Sequence, residues 1–382
     1  MNWWDWMGIV ALILVVIMAF YVLQLRGDLE DLRHKIISLM ANDEAVYDGP
    51  KHETEGPGPV VVIYNPSKVV DYNELKKVLA EAAGDAGLAE PVWLATSVAD
   101  PGVGQARQAI AMNPSVVIAA GGDGTVRQVA GELAGTGIPL GLIPIGTGNL
   151  LARNLALPLD SLRNLASIAI TGRSRRIDVG RISAPPATPE LRAEITRFDP
   201  QGVPFEGDVP FVVIAGLGFD AQVMQDADDN LKRALGWSAY VVSGVKHLYN
   251  RRVEARITTG DGANQIDVEA RSIMFANCGG LPGGLMLAPD ARIDDGWLDI
   301  AVMDTKGGLL GWGDLLRRIG LQRYGVRDDV LPAAGSIDFR RTRSADVSLL
   351  EPEPVQADGD PLGYARDVTA RVEKAALIIR VA

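Results

Sequence analysis

The stretch VVIAAGGDGTVRQVAGEL, Val116 to Leu133, decides the fold. An apolar run enters Gly121-Gly122-Asp123-Gly124-Thr125, and a helix-like pattern follows. A short continuous apolar run closed by glycines reads as a strand buried on both faces. Consecutive glycines let backbone N–H groups turn toward one point, and the helix N-terminus adds partial positive charge there. In physical terms this is a phosphate cradle. A plain strand-to-helix turn with Asp123 as N-cap accounts for the same residues. No G-x-x-x-x-G-K-[ST] occurs, so the turn is not a Walker A loop.

The flanking sequence repeats the pattern. PVVVIY (Pro59–Tyr64), PVWLAT (Pro91–Thr96), SVVIAAGG (Ser115–Gly122) and PLGLIPIG (Pro139–Gly146) read as strands. Helices are expected over Asn73–Ala83, Gly104–Met112 and Thr125–Ala134. This alternation predicts an open parallel sheet with ligands at the carboxyl ends of its strands. The turns Asn65-Pro66-Ser67-Lys68 and Pro144-Ile145-Gly146-Thr147-Gly148-Asn149 then share an edge with Gly121–Thr125, a crevice suited to a nucleotide. After about Arg175 short β-rich runs dominate, including RRIDVGRI, PFVVIAGLG, RSIMFANCGG, WLDIAVMD, ADVSLL and KAALIIRVA. Their turn signals predict an antiparallel sandwich or barrel. Ser183 to Pro210, rich in proline and charge, reads as a loop or hairpin excursion. The expected soluble organisation is an α/β nucleotide-binding domain over residues 60–174 and a β-rich domain over residues 175–382.

Ahead of both lies GIVALILVVIMAFYVLQL, Gly8 to Leu25, which carries no charge. At about 1.5 Å rise per residue it nearly spans a bilayer core of roughly 30 Å. Trp3, Trp4 and Trp6 on one side and Tyr21 near the other suit interfacial anchoring. Residues 1–26 are therefore expected to be a single-pass transmembrane helix. Arg26, Arg33 and Lys35 follow the span and place everything after Arg26 on the cytoplasmic side. Leu25, Leu29, Leu32, Ile36 and Leu39 recur at helical spacing, as a membrane-surface helix, a short homodimer seam or an extension of the anchor would have them. Residues 27–59 are this juxtamembrane helix and a linker.

Composition narrows the function classes. The 382 residues include 37 Lys+Arg against 48 Asp+Glu, a formal charge of −11, which argues against nucleic acid as a partner. One cysteine excludes an intramolecular disulfide or a cysteine-rich zinc site, and three scattered histidines do not make a His-cluster metal site.

As a set, the motifs resemble the diacylglycerol kinase catalytic-domain family, which includes sphingosine, ceramide and bacterial lipid kinases. The matching pieces are Asn65-Pro66, Gly121–Thr125, Pro144–Asn149, GLGFDAQV (Gly216–Val223), LPGGLMLAPDARIDDGWLDI (Leu281–Ile300) and ADGD (Ala357–Asp360). The resemblance implies a membrane-anchored lipid kinase that uses ATP and Mg²⁺, with a membrane lipid as acceptor and diacylglycerol as first choice. It implies ATP contacts at Asn65, Pro66, Ser67, Thr96, Gly122, Asp123, Gly124, Thr125, Val126, Arg127, Gln128 and Thr147. Lys68 would supply positive charge at the phosphates, or else be a solvated surface lysine. It implies a structural Mg²⁺ held by Asp295 and by the carbonyls of Arg292 and Trp297; a polar turn joining two strands explains the same residues. It places the catalytic base at Asp358 or Asp360, with Asp358 favoured as the unchanged position; a hairpin turn with two exposed acids is the alternative.

The chain departs from the family at three places. The first turn, which in the family often continues Ser-Gly, has Ser67-Lys68. After Gly-Gly-Asp-Gly-Thr the family has x-Asn-Glu, and this chain has Val126-Arg127-Gln128. Where the family has Asp-Gly-Glu, it has Asp358-Gly359-Asp360, one methylene shorter at the last acid. Other readings are a kinase of a sphingoid base or another lipid alcohol, a non-catalytic nucleotide-binding relic, and an oxidoreductase using Gly216-Leu217-Gly218-Phe219-Asp220-Ala221 as a dinucleotide fingerprint.

Overall fold

A computed structural model of the chain describes residues 58–68, 70–218, 252–260, 264–280, 287–288, 290–305 and 335–382. The Gly8–Leu25 run, the Asp28–Met40 stretch and residues 219–223 and 281–286 of the quoted motifs lie outside them. Among the described residues no helix is long and apolar enough to cross a membrane.

Four parallel strands carry the first half: β1 (Val60–Tyr64), β2 (Val92–Ala95), β3 (Val116–Gly121) and β4 (Leu140–Pro144). β1 pairs with β2 and β3, and β3 with β4, all in parallel. β3 is buried along its whole length, which is why its sequence reads as an unbroken apolar run. The first three helices are α1 (Tyr72–Asp85), α2 (Val103–Ala111) and α3 (Asp123–Leu133). In α1 the Asp71 side chain caps the N–H groups of Asn73 and Glu74, while Leu75, Val78, Leu79 and Ala83 form the buried stripe. α4 (Leu150–Asn154) and α5 (Leu162–Thr171) follow β4.

The second half is mainly antiparallel. Its strands are β5 (Arg173–Ala184), β6 (Gly207–Phe211), β7 (Ile214–Gly218), β8 (Val253–Thr259), β9 (Asn264–Ala270), β10 (Ser272–Ala276), β11 (Leu298–Thr305), β12 (Gly335–Thr342), β13 (Ser344–Ala357) and β14 (Asp360–Val381). The two halves are not separate sheets. β14 runs for 22 residues, pairing antiparallel with β13 and β5, and Ile379 pairs in parallel with Leu140 of β4. One strand thus carries the β13–β14 hairpin to the edge of the parallel sheet.

Ser183–Pro210, expected as a loop or hairpin excursion, is a hairpin excursion: β5 and β6 pair antiparallel at its ends, with Ala184 opposite Gly207. It contains α6 (Pro189–Phe198), with the Thr188 hydroxyl accepting the Leu191 N–H at 3.2 Å and Pro189 in the first turn. The cap-then-proline signal was present, but the weakly apolar face buries only Ile195 within the helix, so periodicity did not disclose it.

Candidate functional site

The carboxyl ends of β1, β3 and β4 bring the three polar turns together. The Asn65 N–H donates to the Ala120 carbonyl at 3.1 Å, and the Ile145 N–H to the Gly121 carbonyl at 3.0 Å. The second contact presses backbone on backbone: a Cβ placed on Gly146 would lie 2.6 Å from Gly122 Cα. Lys68 reaches over the same turn, with its Nζ 3.7 Å from the Cβ position of Gly122, so it belongs to the crevice rather than to open solvent. Asn65 orders its own turn by accepting the Ser67 N–H and hydroxyl at 3.0 and 2.7 Å. Pro66 and Ser67 are exposed, as is Thr147 on the opposite turn. Thr96 is buried, its N–H donating to the Tyr64 carbonyl at 2.9 Å.

Gly122, not Asp123, is the N-cap of α3, and it makes no side-chain cap. The Asp123 carboxylate instead accepts the N–H groups of Asn149 and Leu150, at 2.9 and 2.6 Å, and so caps α4 across the crevice. Burial raises its pKa, opposed by those two N–H groups and reinforced by the nearby Asp360. Asn149 completes the second turn from a left-handed backbone, φ 49°, exchanging hydrogen bonds with Gly146 at 3.0 and 2.9 Å. In the sequence, an asparagine ending a Gly-x-Gly turn is the signal for this role. Further along α3, the Thr125 and Val126 side chains are buried, Thr125 against Gly121. Gln128 is half-buried beside Gly102 at the start of α2.

The β13–β14 hairpin delivers the two C-terminal acids. Asp358 and Gly359 both have positive φ, 47° and 88°, and Ala357 pairs with Asp360, which makes a two-residue turn. The acids have opposite environments. Asp358 is buried, and its oxygens accept the N–H groups of Val212, Val213 and Ile214 at 2.8, 2.9 and 2.9 Å. Burial pushes its pKa up to about 6 against the pull of those N–H groups and of Arg127. The Asp358 carboxylate is therefore committed to the β6–β7 connection and is not presented to a substrate. This corrects the preference for Asp358 as base. Asp360 is half exposed, with Oδ2 only 2.7 Å from the Cβ position of Gly124 in the first turn of α3. Arg127 Nη2 donates to that same Oδ2 at 3.0 Å.

The residues expected to hold a metal sit on the turn before β11. Asp295 accepts the Trp297 N–H at 3.0 Å through Oδ1 and is ion-paired with Arg341 through Oδ2. Arg292 lies in the same turn. Asp178 of β5 anchors it, accepting the N–H groups of Gly296 and Ala375, both at 2.6 Å. Burial raises the Asp178 pKa, with Asp295 and Asp294 adding to it. The partners of Asp178 lie more than a hundred residues away in sequence, so no local signal marks it.

Comparison with known proteins identifies the family. A family profile described as "Diacylglycerol kinase catalytic domain" matches residues 59–182, and one described as "YegS C-terminal NAD kinase beta sandwich-like domain" matches residues 212–381. The chain is 32% identical over 266 residues to a "Probable lipid kinase YegS-like" from Chromohalobacter salexigens, covering 68% of this chain and 74% of that one. It is 32% identical over 197 residues to a "Diacylglycerol kinase" from Mycobacterium tuberculosis, covering 52% of this chain and only 57% of that protein. A crystal structure of a diacylglycerol kinase from Bacillus anthracis superposes with a TM-score of 0.61 at 21% identity, over 85% of this chain and 97% of that one. At that identity the likeness speaks to the fold.

Proposed function

The chain belongs to the diacylglycerol kinase catalytic-domain family, and on that premise we propose that it transfers the γ-phosphate of ATP to the hydroxyl of a membrane lipid, diacylglycerol before others. The observation that carries the reading is the position of Asp360. An exposed carboxylate lies against Gly124, at the N-terminal turn of the helix that follows the glycine turn.

Phosphoryl transfer asks the protein mainly for positioning and charge. The turns at Asn65, Gly122 and Thr147 would seat the nucleotide, with backbone N–H groups of the α3 N-terminus and the Lys68 ammonium turned to its phosphates. Asp123 holds the second glycine turn in place. The lipid hydroxyl oxygen attacks the γ-phosphorus as the bond to the ADP oxygen breaks. Asp360 accepts the hydroxyl proton as the new bond forms. Asp358 fixes the hairpin that carries Asp360.

Mg²⁺ would travel with ATP and neutralise phosphate charge when bound. The turn at Arg292, Asp295 and Trp297 does not fit a metal as it stands. Both Asp295 oxygens are engaged, one by the Arg341 cation, although Asp299 Oδ2 beside it is buried without a hydrogen-bond partner. Among the described residues no group of three or more His, Cys, Asp or Glu is placed to hold an ion.

The uncharged Gly8–Leu25 run supports an anchor that keeps the crevice beside its lipid, with the catalytic part cytoplasmic. Incubation of the full chain with γ-labelled ATP and a panel of vesicles containing diacylglycerol, sphingoid base or ceramide tests the acceptor. Label in phosphatidic acid is expected. Preferential labelling of another lipid would replace the acceptor, and ATP binding with no labelled lipid would mean a nucleotide-binding relic.

A further inference from the structure

We infer that Arg127 is the positioning residue for Asp360, and that these two among the chain's departures from the family pattern are one paired change. The inference rests on reading Asp360 as the base. Arg127 and Asp360 lie 233 residues apart in sequence and meet at 3.0 Å. The Arg127 side chain is 5% exposed, against 48% for Asp360. Among the described residues the Arg127 Nε and Nη1 atoms have no hydrogen-bond partner. A buried guanidinium with unmet donors is costly, and an apolar side chain would fill the space without that cost. Packing alone therefore does not account for arginine at this position.

The pairing does. Relative to the family pattern, the helix side chain is longer and charged, while the acid on β14 is one methylene shorter. In space the long cation meets the short acid. Arg127 fixes Oδ2 of Asp360 from within the core, and Gly124 leaves room for that oxygen beside the helix turn. Oδ1 is the oxygen left open to a hydroxyl. The cation also lies close enough to Asp358 to lower its pKa, so one buried charge serves both acids of the hairpin.

The test is a mutant cycle on the full chain: Arg127→Asn, Asp360→Glu, the double variant and Arg127→Lys, assayed with ATP and diacylglycerol in phospholipid vesicles alongside thermal melts. Arg127→Asn should lower kcat roughly ten- to hundredfold with the KM for ATP within about threefold, because the loss is in the transition state. Asp360→Glu alone should also lower kcat, since the longer acid meets the cation. The double variant should recover to within roughly fivefold of wild type, the non-additivity expected of residues in contact. Arg127→Lys should fall between wild type and Arg127→Asn. Single losses that simply multiply in the double variant would overturn the inference, as would a fall in Tm with kcat unchanged. If Arg127→Asn does not fold, the double variant is compared with Asp360→Glu: higher kcat supports the pairing, and equal or lower kcat overturns it. Asp360→Asn separates the two readings. Wild-type kcat in that variant removes the base and the pairing together; lost kcat there with an intact Arg127→Asn enzyme removes the pairing alone.

Discussion

Asp123 accepts the backbone N–H of Leu150 at 2.6 Å, so a carboxylate in the first glycine turn sets the position of the helix that follows the second. The second turn is therefore held by the first, and neither is an independent loop. Asp123→Asn keeps the size but offers one acceptor oxygen to two N–H donors. It should raise the KM for ATP at least about tenfold, with a stability loss of roughly 1–3 kcal/mol for the unmet donor. ATP titration and thermal melting read both. Unchanged ATP affinity in the folded variant would show that the link does not shape the site.

The approach of Gly122 and Gly146 gives a second expectation. The 2.6 Å separation of the Gly146 Cβ position from Gly122 Cα is to backbone, which has no flexible end to move aside. Gly146→Ala should force the turns apart and weaken ATP binding roughly tenfold or more, with a stability cost of about 1–3 kcal/mol typical of overpacking. Isothermal titration with ATP measures it, and wild-type affinity would refute the contact.

The two hairpin acids should separate by phenotype. Asp360→Asn should lower kcat about 10²–10⁴-fold with little change in Tm, as loss of a general base does. Asp358→Asn should chiefly lower Tm, because its amide cannot accept all three N–H groups. Equal kcat losses with equal melting temperatures would contradict the division of roles.

Asp358 also makes stability depend on pH in a defined direction. Its folded pKa of about 6 lies above the unfolded value of about 4. Between these values the native state holds the extra proton, so this contribution to stability is complete below about pH 4 and is lost as pH rises through about 6. The gap corresponds to on the order of 3 kcal/mol. The stability difference between wild type and Asp358→Asn should therefore be larger at pH 4 than at pH 7, as denaturant melts at the two pH values would show. A difference that grows toward pH 7 would reverse the sign.

The parallel half of the fold was legible because β1 and β3 are buried runs bounded by glycine or polar turns, and such strands announce themselves locally. The glycine turns were legible for the same reason. What escaped were features set by distant partners. β14 reads in sequence only as its last apolar stretch, since its first part alternates at a half-exposed surface. In Ala357-Asp358-Gly359-Asp360 the family resemblance favours the first acid, and only the N–H groups of Val212 to Ile214, far off in sequence, reverse that preference. Arg127 is expected from the resemblance among the ATP contacts, and only the fold brings it to Asp360.

The central claim is that a carboxylate at the glycine turn activates a lipid hydroxyl toward ATP. The most direct measurement is single-turnover transfer of label from γ-labelled ATP to diacylglycerol in vesicles, by the wild-type chain and by Asp360→Asn at saturating ATP. The account predicts labelled phosphatidic acid with wild type and a transfer rate lower by roughly 10²-fold or more with Asp360→Asn, ATP binding being retained. Equal transfer rates for the two proteins, or ATP binding without transfer to any lipid alcohol, would contradict it.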